Sequence, residues 1–196
     1  MLKESNKERL LSLFFQDPLH PFYLRELSRK ARLAPVSVKQ YLKEFMQASL
    51  VAKKGLFGHP TYAACHDSEE FRLLKKLHTI RKIIETGLLS HVQETLLPDA
   101  IVLFGSASKG EDTMDSDIDL FVQAQEISLH LSRYERLLHR KISVFFQKDF
   151  GKLSEELKNN LINGIVLKGY LTAYDHSRHS GQATRAGAAQ DGRRNS

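Results

Sequence analysis

Hydrophobic residues recur at helical intervals in the first 50 positions of the chain. Ser5 and Glu8 have the spacing of a capping box and open a first helix, and a second helix is predicted over residues 22–30. A third helix begins at Pro35, because proline is favoured at the first helical position. Its apolar stripe is formed by Val38, Tyr41, Leu42, Phe45 and Met46. Residues 50–64 have the pattern of two short strands around a turn, so three helices and a hairpin are predicted here.

The pattern from residue 67 onward predicts further helices and strands. Asp67 and Glu70 again have capping-box spacing and open a long helical region that Pro98 ends. The apolar stripe of this region consists of Leu73, Leu77, Ile80, Ile84 and Leu88. The uniformly apolar residues 100–104 are typical of a buried strand. Residues 117–122 alternate between polar and apolar positions, as a strand with one polar face does.

The last third of the chain contains two more helices and a third strand before its periodicity ends. Residues 129–139 predict an amphipathic helix, residues 142–146 a strand, and residues 152–163 a last helix. From residue 176 the sequence is rich in Ser, Gly, Ala, Arg, Gln and Asn and has no periodicity. We therefore predict a disordered tail over residues 176–196.

The charge of the chain is unevenly distributed. The net charge is +6, yet residues 1–66 hold eleven Lys/Arg against five Asp/Glu, whereas residues 67–124 hold six against eleven. A basic front part suits a polyanion and an acidic middle part suits a metal site; the alternative is that both are solvated surfaces. The single cysteine, Cys65, cannot form an internal disulfide, and no apolar run approaches the ~20 residues of a membrane helix. These features predict a soluble cytoplasmic protein without a membrane partner.

The front part of the chain resembles the winged helix-turn-helix fold of transcription regulators over residues 22–31, 37–45 and 58–62. The resemblance implies that the third helix enters the major groove of double-stranded DNA and that the hairpin contacts the flanking backbone. The outward face of that helix would reach bases and phosphates with Ser37, Lys39, Gln40, Lys43 and Gln47. Phosphates would be neutralised by Arg25, Arg29, Lys30, Arg32, Lys53 and Lys54. A module that contacts only protein is the alternative, and Ala34 departs from the pattern because it cannot cap the third helix.

Residues 103–120 carry the side chains best suited to catalysis. Gly105 and Ser106 follow the buried strand, and glycine lets the backbone turn sharply and approach a ligand closely. A helix that starts there directs free N–H groups at an anion. After ten more residues, Asp117 and Asp119 leave the same face of a strand and offer two adjacent oxygen ligands for Mg²⁺. A phosphate-binding turn that faces two carboxylates predicts a nucleotidyl-transfer site.

Gly-Ser, ten residues and then Asp-x-Asp resembles the signature of the minimal nucleotidyltransferases in the DNA polymerase beta superfamily. The resemblance implies that Gly105 and Ser106 bind the triphosphate of a nucleotide and that Lys109 neutralises phosphate charge. It also implies that the catalytic residues Asp117 and Asp119 hold two ions of Mg²⁺ or Mn²⁺. A bound cation would also relieve the repulsion within a crowded group of acids, Glu111, Asp112, Asp115, Asp117 and Asp119.

The two resemblances together predict an α+β chain with two functional parts. The first is an N-terminal winged helix-turn-helix, and the second is a small mixed-sheet, polymerase-beta-like nucleotidyltransferase domain. The expected boundaries are 1–66 for the winged module, 67–97 for a helical connector with the first helix of the transferase domain, 98–175 for the transferase domain and 176–196 for the tail.

One position departs from the pattern of active family members. These place a third acid on the strand after Asp-x-Asp, where it shares a metal and helps to deprotonate the attacking hydroxyl, and this chain has Ser143 there. Either Asp149 or Glu135 takes over that role, or the metal is held poorly. In the second case nucleotide binding survives better than catalysis.

Two classes of function remain open. A transferase would move a nucleoside monophosphate, AMP from ATP, onto a hydroxyl of protein, RNA or a small molecule, guided by the winged module; the intact Gly-Ser and Asp-x-Asp elements favour it. A DNA-binding regulator would use a degenerate transferase domain to sense nucleotide or as a scaffold, which Ser143 favours. By family analogy, many minimal nucleotidyltransferases are antitoxins that bind or modify a helical toxin encoded beside them. Winged regulators are often dimers, so a homodimer is a further expectation.

Overall fold

The fold is described from a computed structural model and covers residues 4–56 and 58–171. The predicted tail, residues 176–196, and the last residues of the predicted transferase domain lie outside these ranges. Within them, no helix combines the length and the apolar character needed to cross a lipid bilayer.

Residues 4–64, called the N-terminal module below, contain three helices and a small antiparallel sheet. The helices are α1 (Asn6–Gln16), α2 (Leu24–Ala31) and α3 (Pro35–Gln47), and the strands are β1 (Phe22–Tyr23), β2 (Val51–Leu56) and β3 (His59–Ala64). The strand order is β1-β3-β2. The predicted start of α2 at residue 22 is wrong by two residues, because Phe22 pairs with Tyr62 in the sheet.

The starts of α1 and α3 agree with the sequence. The Ser5 hydroxyl and the Glu8 carboxylate form the predicted capping box at the start of α1. Ala34 precedes α3 without a side-chain cap. The core between the helices and the sheet contains Leu10, Phe14, Phe22, Leu27, Val38, Leu42 and Phe45. This packing leaves the basic side chains of the module on its outside.

A long helix, α4 (Glu69–Thr86), connects the N-terminal module to the rest of the chain, and α5 (Leu88–Leu96) follows it. Gly87 separates the two helices with a left-handed φ of 81°, so the predicted helical region consists of two helices. The predicted capping role of Asp67 is wrong. Ser68 is the capping residue, and its hydroxyl accepts a hydrogen bond from the Phe71 N–H.

The apolar stripe that the sequence displays is buried only in part, because Ile80 and Leu88 join a core and the other three residues do not. Phe71, Lys75 and Ile83 are the buried residues of this helix, whereas Leu73, Leu77 and Ile84 of the stripe are 53%, 54% and 56% exposed. Phe71 belongs to the core of the N-terminal module and Ile83 to the next core along the chain. The helix therefore contributes to both cores.

A mixed four-stranded sheet forms the centre of the second half. Its strands are β4 (Ala100–Phe104), β5 (Ile118–Val122), β6 (Ile142–Phe146) and β7 (Ile165–Gly169), in the order β6-β5-β4-β7. Only β5 and β6 are parallel. The helices are α6 (Gly105–Lys109), α7 (Ser132–Leu138) and α8 (Glu155–Ile162). The sequence predicted the first three strands, but it did not predict β7.

The two faces of this sheet have different surroundings. Ile118, Leu120 and Val122 of β5 share a core with residues of α4, α5 and α7. Phe121 points to the other face and packs with residues that include Phe150 and Leu161. Because side chains alternate along a strand, Asp119 lies on the Phe121 face.

Candidate nucleotide and metal site

The predicted site residues meet at one edge of the four-stranded sheet, the edge at which β4 ends and β5 and β6 begin. The antiparallel pairing of β4 and β5 places Phe104 opposite Asp119, so the turn after β4 lies beside the start of β5. The parallel pairing of β5 and β6 places Asp119 opposite Ser143. Gly105 just after β4, Asp119 on β5 and Ser143 on β6 are therefore neighbours at this edge.

Gly105 is required by its surroundings as well as by its backbone conformation. Its φ is 68°, in the left-handed region that side chains disfavour. A Cβ atom on this residue would lie 2.2 Å from Oδ2 of Asp119, which is far inside contact distance. The glycine thus brings the backbone of the turn against a carboxylate, and Ser106 follows at the start of α6.

Asp117 and Asp119 act electrostatically on each other. The pKa of Asp119 is raised above its usual value by burial first and by the charge of Asp117 second, while Arg140 acts in the opposite direction. Asp117 itself is exposed. Two carboxylates that repel each other in this way gain from a divalent cation between them, and hard oxygen ligands suit Mg²⁺ or Mn²⁺.

The acid pair does not belong to a larger group of metal ligands in the described part of the chain. Within residues 4–56 and 58–171, no group of three or more His, Cys, Asp or Glu side chains has a geometry that could hold a metal ion. Mg²⁺ commonly takes its other ligands from water and substrate phosphates. The pair therefore fits a metal that arrives with a nucleotide, and the strand register places Ser143, which is not an acid, beside Asp119.

Neither of the two acids considered as substitutes for the third carboxylate is placed like one. Glu135 lies on α7, which packs against the opposite face of the sheet, and its carboxylate accepts a hydrogen bond from the Ile142 N–H at 3.2 Å. Asp149 comes after the far end of β6, and its carboxylate accepts a hydrogen bond from the Gly151 N–H at 2.9 Å. Both carboxylates already cap backbone N–H groups away from Ser143.

Residues 88–172 match the family model described as polymerase beta, nucleotidyltransferase. The match supports a polymerase-beta-like nucleotidyltransferase domain. It includes every strand of the four-stranded sheet and all predicted metal and nucleotide residues, and it does not include the N-terminal module or α4. Comparisons with curated proteins and with solved structures gave no match.

Lys109 of the nucleotidyltransferase domain is exposed and lies at the last position of the five-residue helix α6. Gly105 and Ser106 occupy its first two positions, so about 5 Å of helical rise separates Lys109 from the turn. A lysine side chain can cover that length. The structure thus keeps Lys109 near the predicted phosphate site without bringing it into the group around Asp119.

Acids of the loop before β5 have cationic partners on α4 and just before β6 that sequence reasoning missed. Asp112 forms ion pairs with Lys75 and with Arg140, and Glu111 forms one with Arg72 at 3.1 Å. Two of the five crowded acids are therefore neutralised within the protein. The inference that this crowding requires a bound cation is wrong for these two and applies only to the acids at the sheet edge.

The predicted DNA-binding residues of the N-terminal module are nearly all exposed. This holds for Arg25, Arg29, Lys39, Gln40, Lys43, Lys53 and Lys54, whereas Ser37 is half-buried. Lys53 and Lys54 are consecutive in β2, so their side chains leave opposite faces of the hairpin. Only one of these two can therefore face the same side as α3.

Proposed function

We propose that this protein transfers a nucleoside monophosphate, AMP from ATP, to a hydroxyl group. A new bond joins the hydroxyl oxygen to the α-phosphorus, the bond to the β-phosphate breaks, pyrophosphate leaves, and the hydroxyl gives up its proton. The observation that carries the proposal is the close approach of the Gly105 turn to the Asp119 carboxylate at the edge of a polymerase-beta-like sheet. A phosphate bound at this turn would lie beside the acid pair, and that is the juxtaposition that phosphoryl-transfer chemistry requires.

Each residue at the sheet edge has a specific task in this proposal. Asp117 and Asp119 hold Mg²⁺ or Mn²⁺, which when bound stabilises the charge that develops on the transferred phosphoryl group. The hydroxyl and N–H of Ser106 orient the triphosphate, and Lys109 offsets its charge from the exposed end of α6. Asp119 binds a cation in its ionised form.

Proton removal from the attacking hydroxyl is the weak step. Ser143 carries no charge and is not a base at neutral pH, and Glu135 and Asp149 are bonded elsewhere. We expect nucleotide binding to be retained and turnover to be slow. Loss of a group that ligates or supports a metal typically costs 10–100-fold in affinity or activity.

The test is incubation with each labelled nucleoside triphosphate, Mg²⁺ or Mn²⁺, and a cell lysate that supplies acceptors. We expect transfer of label from ATP, and loss of that transfer in Asp117→Asn/Asp119→Asn. The control is Asp115→Asn, because Asp115 is exposed in the same loop. Label transfer that survives the double substitution contradicts the proposed site.

A second function is DNA binding by the N-terminal module, with the nucleotidyltransferase domain as a nucleotide sensor. It is supported by the exposed cations Arg25, Arg29, Lys39 and Lys43, which have no acidic partner among the described residues, and by Ser143 in the other domain. Duplex binding should weaken steeply with salt and survive Asp117→Asn/Asp119→Asn. Lys39→Ala/Lys43→Ala should weaken it, whereas Lys148→Ala/Lys152→Ala, which removes two exposed lysines elsewhere, should not.

The acceptor, the assembly and the location of the protein belong to the same proposal. By analogy with the family, a small helical toxin encoded beside this protein is one acceptor, and co-purification of such a protein tests it. A homodimer is tested by the molar mass in solution. A cytoplasmic location agrees with the free thiol of Cys65.

A further inference from the structure

Lys75, Asp112 and Arg140 form a buried charged cluster. Arg140 connects this cluster to the backbone of Asp117, one of the two acids of the proposed metal site. We propose that Arg140 is a positioning residue for Asp117 and Asp119, and that Lys75 and Asp112 hold it in place. The inference rests on the proposed function, because it concerns the same metal site. It adds three residues to that site, one of which lies outside the matched part of the chain.

Lys75 and Asp112 form the inner part of this cluster. Their side chains are 2% and 1% exposed, and Lys75 Nζ lies 3.3 Å from Asp112 Oδ1. The same ammonium also donates a hydrogen bond to the backbone oxygen of Asp112. A buried charge without a partner is strongly unfavourable, so each of these residues depends on the other. The pair ties the start of the loop before β5 to α4.

Arg140 connects this pair to the acidic end of the loop. Its Nη1 donates to Asp112 Oδ2 at 2.6 Å, its Nε donates to the backbone oxygen of Ser116, and its Nη2 donates to that of Asp117 at 3.3 Å. One guanidinium therefore holds both the start of the loop and the residue that carries the first metal carboxylate. Three directed donors in a rigid plane are a property of arginine that lysine does not have.

A second contact holds the loop against α4. A Cβ atom on Gly110 would lie 2.3 Å from the backbone oxygen of Arg72, and the φ of Gly110 is 74°. The backbone just after α6 is thus pressed against the backbone of α4. Together with Lys75, this contact makes α4 the support on which the Asp117 loop rests, although α4 precedes the matched residues 88–172.

Two roles of Arg140 can be separated by experiment. If it only supplies positive charge near the acids, lysine will replace it. If it fixes the backbone at Ser116 and Asp117, lysine will not. The test is Mn²⁺ binding in the presence of ATP, measured on the full chain by the electron paramagnetic resonance signal of free Mn²⁺. We expect Arg140→Lys to weaken binding roughly 10-fold.

The matched control is Arg133→Lys, the same chemical change at an exposed position of α7. It should leave Mn²⁺ binding unchanged. If Arg140→Lys also binds Mn²⁺ as the wild type does, Arg140 does not position the acids. Asp112→Asn is the second variant, because it keeps the shape of the side chain while weakening both ion pairs. It should lower Mn²⁺ affinity as well, and it decides the question if Arg140→Lys does not fold.

A readout without metal distinguishes failure of this inference from failure of the proposed function. Amide hydrogen exchange of the metal-free protein should become faster in residues 112–119 of Arg140→Lys, and stay unchanged there in Arg133→Lys. If the wild type binds no Mn²⁺, the proposed function is wrong, but faster exchange still supports the positioning role of Arg140. Unchanged exchange overturns that role in either case.

Discussion

The two halves of the molecule use their cations in opposite ways. In the N-terminal module, Lys30 pairs with Glu26 at 3.3 Å. The other predicted DNA-contacting cations are exposed and form no ion pair with a described acid, and six of them are Arg25, Arg29, Lys39, Lys43, Lys53 and Lys54. Behind the loop that leads to β5, Lys75 and Arg140 are turned inward, with 2% and 12% of their side chains exposed, and share the carboxylate of Asp112.

A count of charges along the sequence does not distinguish exposed, unpaired cations from buried, paired ones. An exposed cation without a partner leaves its charge available to an anionic ligand, whereas a paired and buried cation is already part of the fold. The acidic middle of the sequence is therefore partly structural. The acids that remain available for a metal are those at the sheet edge, where the pKa of Asp119 is raised by burial and by Asp117.

The largest effect should come from separating the buried pair. We expect Lys75→Met to lower the free energy of unfolding by about 3 kcal/mol, at the lower end for a broken buried ion pair because Arg140 still contacts Asp112. Urea unfolding at neutral pH measures it. Lys76→Met, the same change at the next position of α4, should stay within about 0.5 kcal/mol.

A double substitution tests the cause of that effect. Lys75→Met/Asp112→Asn should be less destabilised than the sum of its two single substitutions, because each single change leaves a buried polar group without its partner. If Lys75→Met lowers the free energy of unfolding no more than Lys76→Met does, the Lys75–Asp112 ion pair does not stabilise the fold. The contrast between the cations of the two halves then fails.

The amino-acid sequence predicts those parts of the molecule that local patterns determine. The buried strand, the alternating strand and the spacing of Gly-Ser and Asp-x-Asp assign Gly105, Asp117 and Asp119 to the correct strand ends. The register of β5 and β6 puts Ser143 beside Asp119, as the resemblance to the family implies. The two strands and the two motifs are local features, since each is read from residues close together in the sequence. The register of β5 and β6 is not local, and it follows from the resemblance to the family.

Features that depend on distant partners were missed. Sequence periodicity assigned the face of α4 only partly correctly. Ile80 packs against a core, but the side that packs inward also contains Lys75 and His78, whereas Leu73 and Leu77 are exposed. Lys75 is stabilised inside by Asp112, which is 37 positions away. The strand β7 was missed because its pairing with β4, not its own short pattern, establishes it.

The contact between the N-terminal module and α4 should respond to acid. His78 lies on α4 with its ring 5.2 Å from that of Phe15 on α1, and burial, followed by the charge of Lys82, lowers its pKa from 6.5 to about 4. Between pH 6.5 and about 4, the His78 side chain therefore binds a proton more readily in the unfolded chain than in the folded chain. Stability is fully present above pH 6.5 and should fall by up to about 3 kcal/mol as the pH drops towards 4.

His78→Phe is the variant that isolates this effect, because it keeps an aromatic ring against Phe15 and cannot titrate. Urea unfolding of both proteins between pH 7.5 and 5 should give a smaller pH dependence for the variant. Glu4, Arg81 and Glu85 also contribute to the pKa of His78, so His91→Phe, on α5, is the control for general acid sensitivity. Equal slopes for the wild type and His78→Phe would exclude His78 as the source.

The smallest effect should have the opposite sign and concerns the acid pair itself. Because the folded-state pKa of Asp119 is raised above 3.8, its ionised form opposes folding at neutral pH. Without metal, Asp119→Asn should therefore raise the melting temperature by on the order of 2 °C, and this gain should shrink as the pH falls towards 3.8. With Mn²⁺ and ATP the wild type should have the higher melting temperature, because only the wild type gains the stabilisation of a bound ligand. Asp115→Asn should show neither change, and a wild type that is the more stable protein without metal would mean that Asp119 is structural, as Asp112 is.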